Sequence, residues 1–454
     1  MKPRPYHAAL RPALPAAGGL AFRPPAGFRR VLSNGLVVYL LRDDTLPMVH
    51  AAALIRTGKI YDPAGKIGLG ELTLALLKDG GTLDRRAAEI DDTLDLLGAR
   101  MEASIAFEEA RVTMFSLKKD LDAVLDIFAS VILRPAFEEE KVLLKKAEAL
   151  EMIRRRNDDP ARTAQREALR HFYGAGHCYG WRPESFTIEP LAGNDLKAYH
   201  ARYFRPENII IAAAGDFGDE DAFLKKLEAR FGGPAGGRTA PPEVPPAEPE
   251  GKRRVYLINK DVPQTFISVL QKGIRRHDPE EFPLYIANEI LGGGLSSRMS
   301  AEIRSRMGLA YNVGSYFAKR PDLGFINAYC GTRPETCAKA IAEMLRQFGL
   351  MTAGKVTEEE LRRAKDSVVN SFVFRFATPF DMISERALYE HYSYKPRYLD
   401  DYVGNIGKVD ADAVLRTSRE LFRPDDATIL VIGDQGRFDR PLSDFGPVTV
   451  LKED

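Results

Sequence analysis

The strongest constraint on this chain is that it says one thing twice. Tyr203-Phe204-Arg205-Pro206-Glu207-Asn208-Ile209-Ile210-Ile211 runs into Gly215-Asp216, and Leu421-Phe422-Arg423-Pro424-Asp425-Asp426-Ala427-Thr428-Ile429-Leu430-Val431 runs into Gly433-Asp434. Each is a helix end, a proline turn, a buried apolar strand and a Gly-Asp stop. Pro206 and Pro424 stand 218 positions apart (424 less 206), close to half of the 454 residues. A repeat of that period predicts tandem copies of one supersecondary unit. Between the copies, Gly232-Gly233-Pro234 through Pro249 holds Gly236-Gly237, Pro241-Pro242 and Pro245-Pro246. Proline at this density forces extended, helix-free chain and makes a semi-rigid spacer. The expected organisation is an N-terminal domain over 25–231, a linker over 232–251 and a homologous C-terminal domain over 252–450.

Within each half, strand and helix patterns mix. Val31 to Arg42 reads as a hairpin arm with Asn34-Gly35 at its turn, and Met48 to Ile55 as an apolar strand. Gly68 to Lys78 reads as a short apolar helix stopped by Gly80-Gly81. Arg85–Leu97, Asp120–Leu133 and Glu138–Arg156 carry helical spacing, and Arg111–Leu117 alternates like a strand. In the second half, Arg254–Ile258 and Thr265–Gln271 read as strands, Phe282–Leu291 as a helix ended by Gly292-Gly293-Gly294, and Tyr311–Ala318 with Gly324–Cys330 as a hairpin. The fold class is α+β, with a mostly antiparallel sheet packed with helices in each half.

Composition narrows the function. Lys plus Arg total 65 and Asp plus Glu 64, a net charge of +1, so nothing draws the chain to nucleic acid. Arg154-Arg155-Arg156 is followed by Asn157-Asp158-Asp159 and reads as a solvated helix face. Cys178, Cys330 and Cys337 are too few and wrongly spaced for a disulfide framework or a metal knuckle. The seven histidines include no pair at i and i+3 or i+4; His171 and His177 are nearest, separated by a Gly-rich turn. No apolar run is long enough to insert in a membrane. Residues 1–26 lack an apolar signal core and read as an extended arm, so the cytoplasm is the default compartment, with the periplasm as the alternative.

Several motifs in order carry a resemblance. They are Asn34-Gly35-Leu36, the Gly68-Leu69 helix start, the Tyr-Phe-Arg-Pro to Gly-Asp strand, the Pro-rich linker, and Leu291-Gly292-Gly293-Gly294-Leu295-Ser296-Ser297-Arg298 leading to Gly308-Leu309-Ala310-Tyr311. Over roughly residues 25–450 the chain resembles the insulinase/pitrilysin family of inverzincin zinc peptidases. That resemblance implies two homologous domains in a clam-shell arrangement. It also implies zinc held by an H-x-x-E-H helix, with the Glu as general base and a later Glu as third ligand. Aligned through Gly68-Leu69, the first His position is Glu71, the base Leu74 and the second His Ala75; the third ligand position is Met152. Alanine and leucine cannot ligate zinc, and methionine suits softer ions. Glu71 and Glu148 would supply two carboxylates and no imidazole. Glu151, one residue from Met152, is turned about 100° away on a helix. Neither a metal site nor any cofactor is therefore expected in this chain.

The opposite wall keeps its residues. The resemblance places Arg304, at a helix end, and Tyr311, on the adjoining strand, across the cavity from the metal, with Gly308 allowing the turn between them. By residue chemistry alone Arg304 fits a helix C-terminus and Tyr311 a strand aromatic. In the family context the phenol donates to a developing oxyanion, and the guanidinium holds a peptide carbonyl or a nearby carboxylate. The strand Glu102, Ala103, Ser104, Ile105, Ala106 and Phe107 corresponds to the family's peptide-accepting edge. The expectation is a non-catalytic subunit of a heterodimeric zinc peptidase. It binds a peptide substrate and supplies Arg304 and Tyr311 in trans to a partner subunit with an intact H-x-x-E-H motif and the zinc. The alternative is a peptide-binding or assembly protein with no proteolytic role.

Overall fold

The computed structural model describes residues 27–233, 237, 239–249 and 251–452. The arm expected over 1–26 lies outside the described residues. Two six-stranded sheets carry the chain. The first contains β1 (Phe28–Val31), β2 (Val37–Arg42), β3 (Met48–Ile55), β4 (Arg100–Ile105), β5 (Ala110–Leu117) and β6 (Ile209–Gly215), in the order β1-β2-β6-β3-β5-β4. The second contains β7 (Arg254–Asn259), β8 (Thr265–Lys272), β9 (Ala310–Ala318), β10 (Phe325–Thr332), β11 (Thr428–Gly433) and β12 (Val448–Leu451), in the order β12-β7-β11-β8-β10-β9.

The two orders are the same over five strands. In each, the strand of the repeated motif pairs parallel with the first long strand and antiparallel with the next, β6 with β2 and β3, β11 with β7 and β8. The halves differ only at one edge, where β1 pairs antiparallel with β2 and β12 pairs parallel with β7. The duplicated segment is thus a central strand of each sheet.

That central position explains its unbroken apolar run. Ile209, Ile211 and Ala213 face one core with the helices Leu69–Asp79, Leu121–Leu133 and Glu220–Phe231 of their own half. Ile210, Ala212 and Ala214 face the other side, against Ile383 and Ala387 of the helix Pro379–His391, which belongs to the second half. The reciprocal holds. Ile429 and Val431 pack on helices of the second half, whereas Leu430 and Ile432 meet Ala164, Ala168 and Phe172 of the helix Pro160–Tyr173 from the first. A strand covered on both faces has no solvent side to alternate with. Each half therefore lends one helix to the other's sheet, which the period-based reading did not foresee.

Further ties cross the same junction. Glu108, 7% exposed, accepts from Tyr179 Oη at 3.1 Å and from Arg276 Nη1 at 2.7 Å, and Arg320 lies over the Phe107 and Tyr179 rings. His391 Nε2 donates to the Glu108 carbonyl at 3.1 Å; burial, with Arg56 and Arg276 nearby, pushes this imidazole down to about 3. The described part of the linker is fastened as well: Thr239 N donates to Asn208 Oδ1 and Ala247 N to Asp322 Oδ2. The three cysteines are free and buried.

The exchange has a mechanical consequence. Phe172, 2% exposed, is a first-half residue packed in the cluster that covers one face of the second half's sheet. Phe172→Ala should cost about 3–5 kcal/mol. Urea unfolding followed by fluorescence and circular dichroism should still give one transition; two separated transitions in the parent chain would show that the halves are not coupled.

Candidate functional site

The helix Leu69–Asp79 begins at Gly68, whose φ of 102° suits a residue without Cβ. Its position is fixed from below. Asp62 accepts from the N–H groups of Gly68 at 2.7 Å and Gly70 at 2.8 Å. Burial outweighs those two donors and pushes the Asp62 carboxyl up to about 7. Glu71, Leu72 and Ala75 then face Glu148, Ala149, Met152 and Ile153 of the helix Glu139–Arg154 across a cavity of about 450 Å³. The fold thus brings Glu71, Ala75 and Met152 together. Leu74 is not among the cavity's lining residues; at 2% exposed it is buried in the first half's core.

This wall does not fit zinc. A zinc ion takes nitrogen, sulfur or carboxylate donors in tetrahedral array. The carboxylates here already face cations: Glu71 pairs with Lys59, and Glu148 with Lys145 at 3.0 Å. Glu151 turns away and pairs with Arg154 at 3.1 Å. Among the described residues no group of three His, Cys, Asp or Glu side chains converges on a metal position. His171 stacks on Tyr256, whereas His177 accepts from Tyr179 N, so they do not form a centre.

The other wall is built from two backbone irregularities in succession. Ser300–Arg306 is a π-helical turn, with Met307 N donating to Glu302 O at 2.9 Å, and it carries Arg304. Such turns often mark functional sites. Gly308, at φ 62°, reverses the chain into β9. There Ala310 pairs with Thr332 and Asn312 with Gly331, leaving Tyr311 as the extra residue of a bulge. A bulge re-aims its side chain, and Tyr311 stands 82% exposed. The Arg304 guanidinium carbon lies 5.5 Å from the Tyr311 ring centroid, a cation–π contact of about 0.5–1 kcal/mol at an exposed site.

Arg304 and Tyr311 line a second cavity, of about 550 Å³, together with Asn312, Tyr316, Asn327 and Tyr329 of the sheet. The exchanged helix Pro160–Tyr173 supplies Gln165, which donates to Tyr316 Oη at 2.7 Å; Asn327 donates to the same oxygen at 3.2 Å and accepts from Ser268 at 2.7 Å. Gly314 is required here, because a Cβ would come within 2.8 Å of Tyr329 Oη and 3.0 Å of Gly292 O. The glycines at 292–294 therefore end a helix and let its backbone touch β9, as a turn role predicts. Arg166, the neighbour of Gln165, lines the first cavity, so one helix borders both. Sequence reasoning missed Gln165, Tyr316 and Asn327. The Asn/Tyr alternation of β9 and β10 was the available signal.

β4 is an edge strand, with Glu102, Ala103 and Ser104 exposed along it. Pairing stops at Ile105, two residues short of the expected limit. Ala106 N donates to Glu109 O to close the hairpin, while the carbonyls of Ala106 and Phe107 accept from Lys59 and Ile60. The Ala106 N–H and both of those carbonyls are thus already bonded; the buried Glu108 draws this turn inward.

Two sheets of one topology thus carry two cavities, one lined by Glu71, Ala75 and Met152 and one by Arg304 and Tyr311. The family description "Insulinase (Peptidase family M16)" matches residues 37–176 and "Peptidase M16 inactive domain" matches 191–368. The chain belongs to the insulinase (M16) family. It is 25% identical over 407 residues to the "uncharacterized zinc protease YmxG" of Bacillus subtilis, covering 89% of this chain and 97% of that protein. It is 28% identical over 401 residues to a protein of Mycobacterium tuberculosis named a zinc protease, covering 87% and 90%. A peptidase M16 inactive domain from Pseudomonas fluorescens superposes with TM-score 0.82 at 24% identity, covering 89% and 97%. The periplasmic protease PqqL of Escherichia coli superposes with TM-score 0.75 at 13% identity, covering 89% of this chain and 45% of that one. Among the described residues no helix is long and apolar enough to cross a membrane.

Two outcomes follow. Protein dialysed against excess zinc should retain well under one ion per chain by elemental analysis; a stoichiometric ion would reverse the account of the Glu71 wall. The Asp62 carboxyl is raised above its unfolded value near 4. Its stabilising contribution is therefore full below about pH 4 and lost as pH rises through about 7. Asp62→Asn should flatten that part of the thermal-stability profile, and an unchanged slope would rule Asp62 out as its source.

Proposed function

We propose that this chain is a non-catalytic subunit of a heterodimeric zinc peptidase. It binds peptide and presents Arg304 and Tyr311 to the zinc site of a partner subunit with an intact H-x-x-E-H helix. One observation carries the reading: the wall that should make the nucleophile holds Glu71, Ala75 and Met152, while a second cavity presents an exposed Arg304–Tyr311 pair. Relatives named zinc proteases support peptide-bond hydrolysis as the reaction class.

The chemistry divides between two chains. Hydrolysis needs a deprotonated water and a donor for the oxyanion that forms as the water adds. This chain's wall has neither a base at Leu74 nor a metal-ligand set. Among the described residues the Tyr311 phenol has no hydrogen-bond partner and the Arg304 guanidinium no carboxylate partner, and the two side chains meet each other. The exposed edge of β4 at Glu102–Ser104 offers main-chain groups to an extended peptide, which would add as a further strand.

Co-purification from the source cell should recover a peptidase with the complete motif, carrying zinc. In the reconstituted pair, Tyr311→Phe should lower kcat by about 10²-fold, the cost of losing one oxyanion donor. Unchanged turnover would remove Tyr311 from the reaction and leave the peptide-binding or assembly role.

A further inference from the structure

We infer that the cavity behind Arg304 is a carboxylate-reading subsite, so that the peptides this chain holds bear an acidic side chain or a free C-terminus there. This rests on the reading of the chain as a peptide-binding subunit and adds a substrate class to it.

Three observations carry it. Among the described residues lining this cavity, Arg304 is the sole charged side chain. The other polar groups there, Gln165, Gln264, Asn312 and Tyr316 among them, are neutral. The erased metal wall is the reverse, its carboxylates matched by lysines. Second, the Arg304 guanidinium has no ion pair among the described residues. Its neighbours are engaged, Arg306 with Glu302 and Arg298 with Glu360 at 2.7 Å, and Glu302 also meets Arg346 at 3.3 Å. Among the described residues Arg304 meets the Tyr311 ring and no carboxylate. A guanidinium offers a planar two-donor fork that matches a carboxylate. Third, Tyr316 Oη accepts from both Gln165 and Asn327. A phenol has one O–H, and with its oxygen occupied by two N–H donors that O–H is left to donate. Gln165 and Asn327 thus hold Tyr316 as a donor in the cavity that Arg304 also lines. A carboxylate can accept from both the Arg304 fork and the Tyr316 hydroxyl, and the charge of Arg304 favours it over a neutral amide or hydroxyl ligand.

Binding to the isolated full-length chain tests this without a partner or turnover. Three octapeptides of one neutral sequence, each carrying the same uncharged fluorophore without a carboxylate, are compared by anisotropy at low salt. One has a central Glu and an amidated C-terminus, one a central Gln and a free carboxylate, and one a central Gln and an amidated end. At least one carboxylate peptide should bind about tenfold or more tightly than the doubly neutral one, and the advantage should shrink in salt. The winning arm identifies which carboxylate source the subsite reads. Arg304→Met should erase the advantage, and Arg304→Lys should keep part of it. Arg304 is exposed and unpaired, so the fold should tolerate both; Tyr316→Phe serves as a second variant that should lower the advantage with the charge intact. Equal binding of all three peptides, or an advantage that survives Arg304→Met, overturns the subsite while leaving peptide binding in place. No binding of any peptide overturns it along with the peptide-binding reading, whereas a catalytic role for Tyr311 is judged separately by turnover of the pair.

Discussion

Burial of both sheets on both faces is the constraint from which the rest follows. A sheet face left open at β6 would expose Ile210, Ala212 and Ala214, and one at β11 would expose Leu430 and Ile432. Each half answers by lending a helix to the other. The linker then cannot act as a free tether, because the halves are already locked through Pro160–Tyr173 and Pro379–His391 and through the Glu108 node. Because the exchanged helix runs between the two cavities, with Arg166 at one and Gln165 at the other, the geometry of both walls is set by the same packing.

The sequence exposed the duplication because central strands have to be continuous apolar runs, and Ile209–Ile211 and Ile429–Val431 are. It exposed the helix Leu69–Asp79 through its glycine boundaries. It could not reveal which sheet the helix Pro160–Tyr173 covers, since amphipathic spacing states that a face is buried and not against what. Nor could it reveal the bulge at Tyr311. A bulge is a mismatch in register between two strands, and the mismatch belongs to the pair Thr332–Ala310 and Gly331–Asn312, not to either strand. The two-residue overshoot at Ala106-Phe107 has the same origin: the turn is pulled in by Glu108, whose partners Arg276 and Tyr179 are distant in sequence.

The two walls differ in what their residues do for the fold. Leu74 joins the core at 2% exposure, a packing role a glutamate base could not fill without an unpaired buried charge. Lys59 and Lys145 neutralise the carboxylates that remain. That wall has become ordinary structure.

Arg304 and Tyr311 have not. A helix-capping arginine would bond the last carbonyls of its turn, and Arg304 makes no such bond among the described residues. A strand aromatic that stabilises a sheet packs against cross-strand neighbours, and Tyr311 is bulged out and 82% exposed. Their mutual cation–π contact is of the order of 1 kcal/mol or less at the surface. The backbone holding them is irregular: a π-helical turn carries Arg304, and an interrupted strand pairing carries Tyr311. Their cation–π contact adds little to stability, and neither side chain is taken up in core packing as Leu74 is.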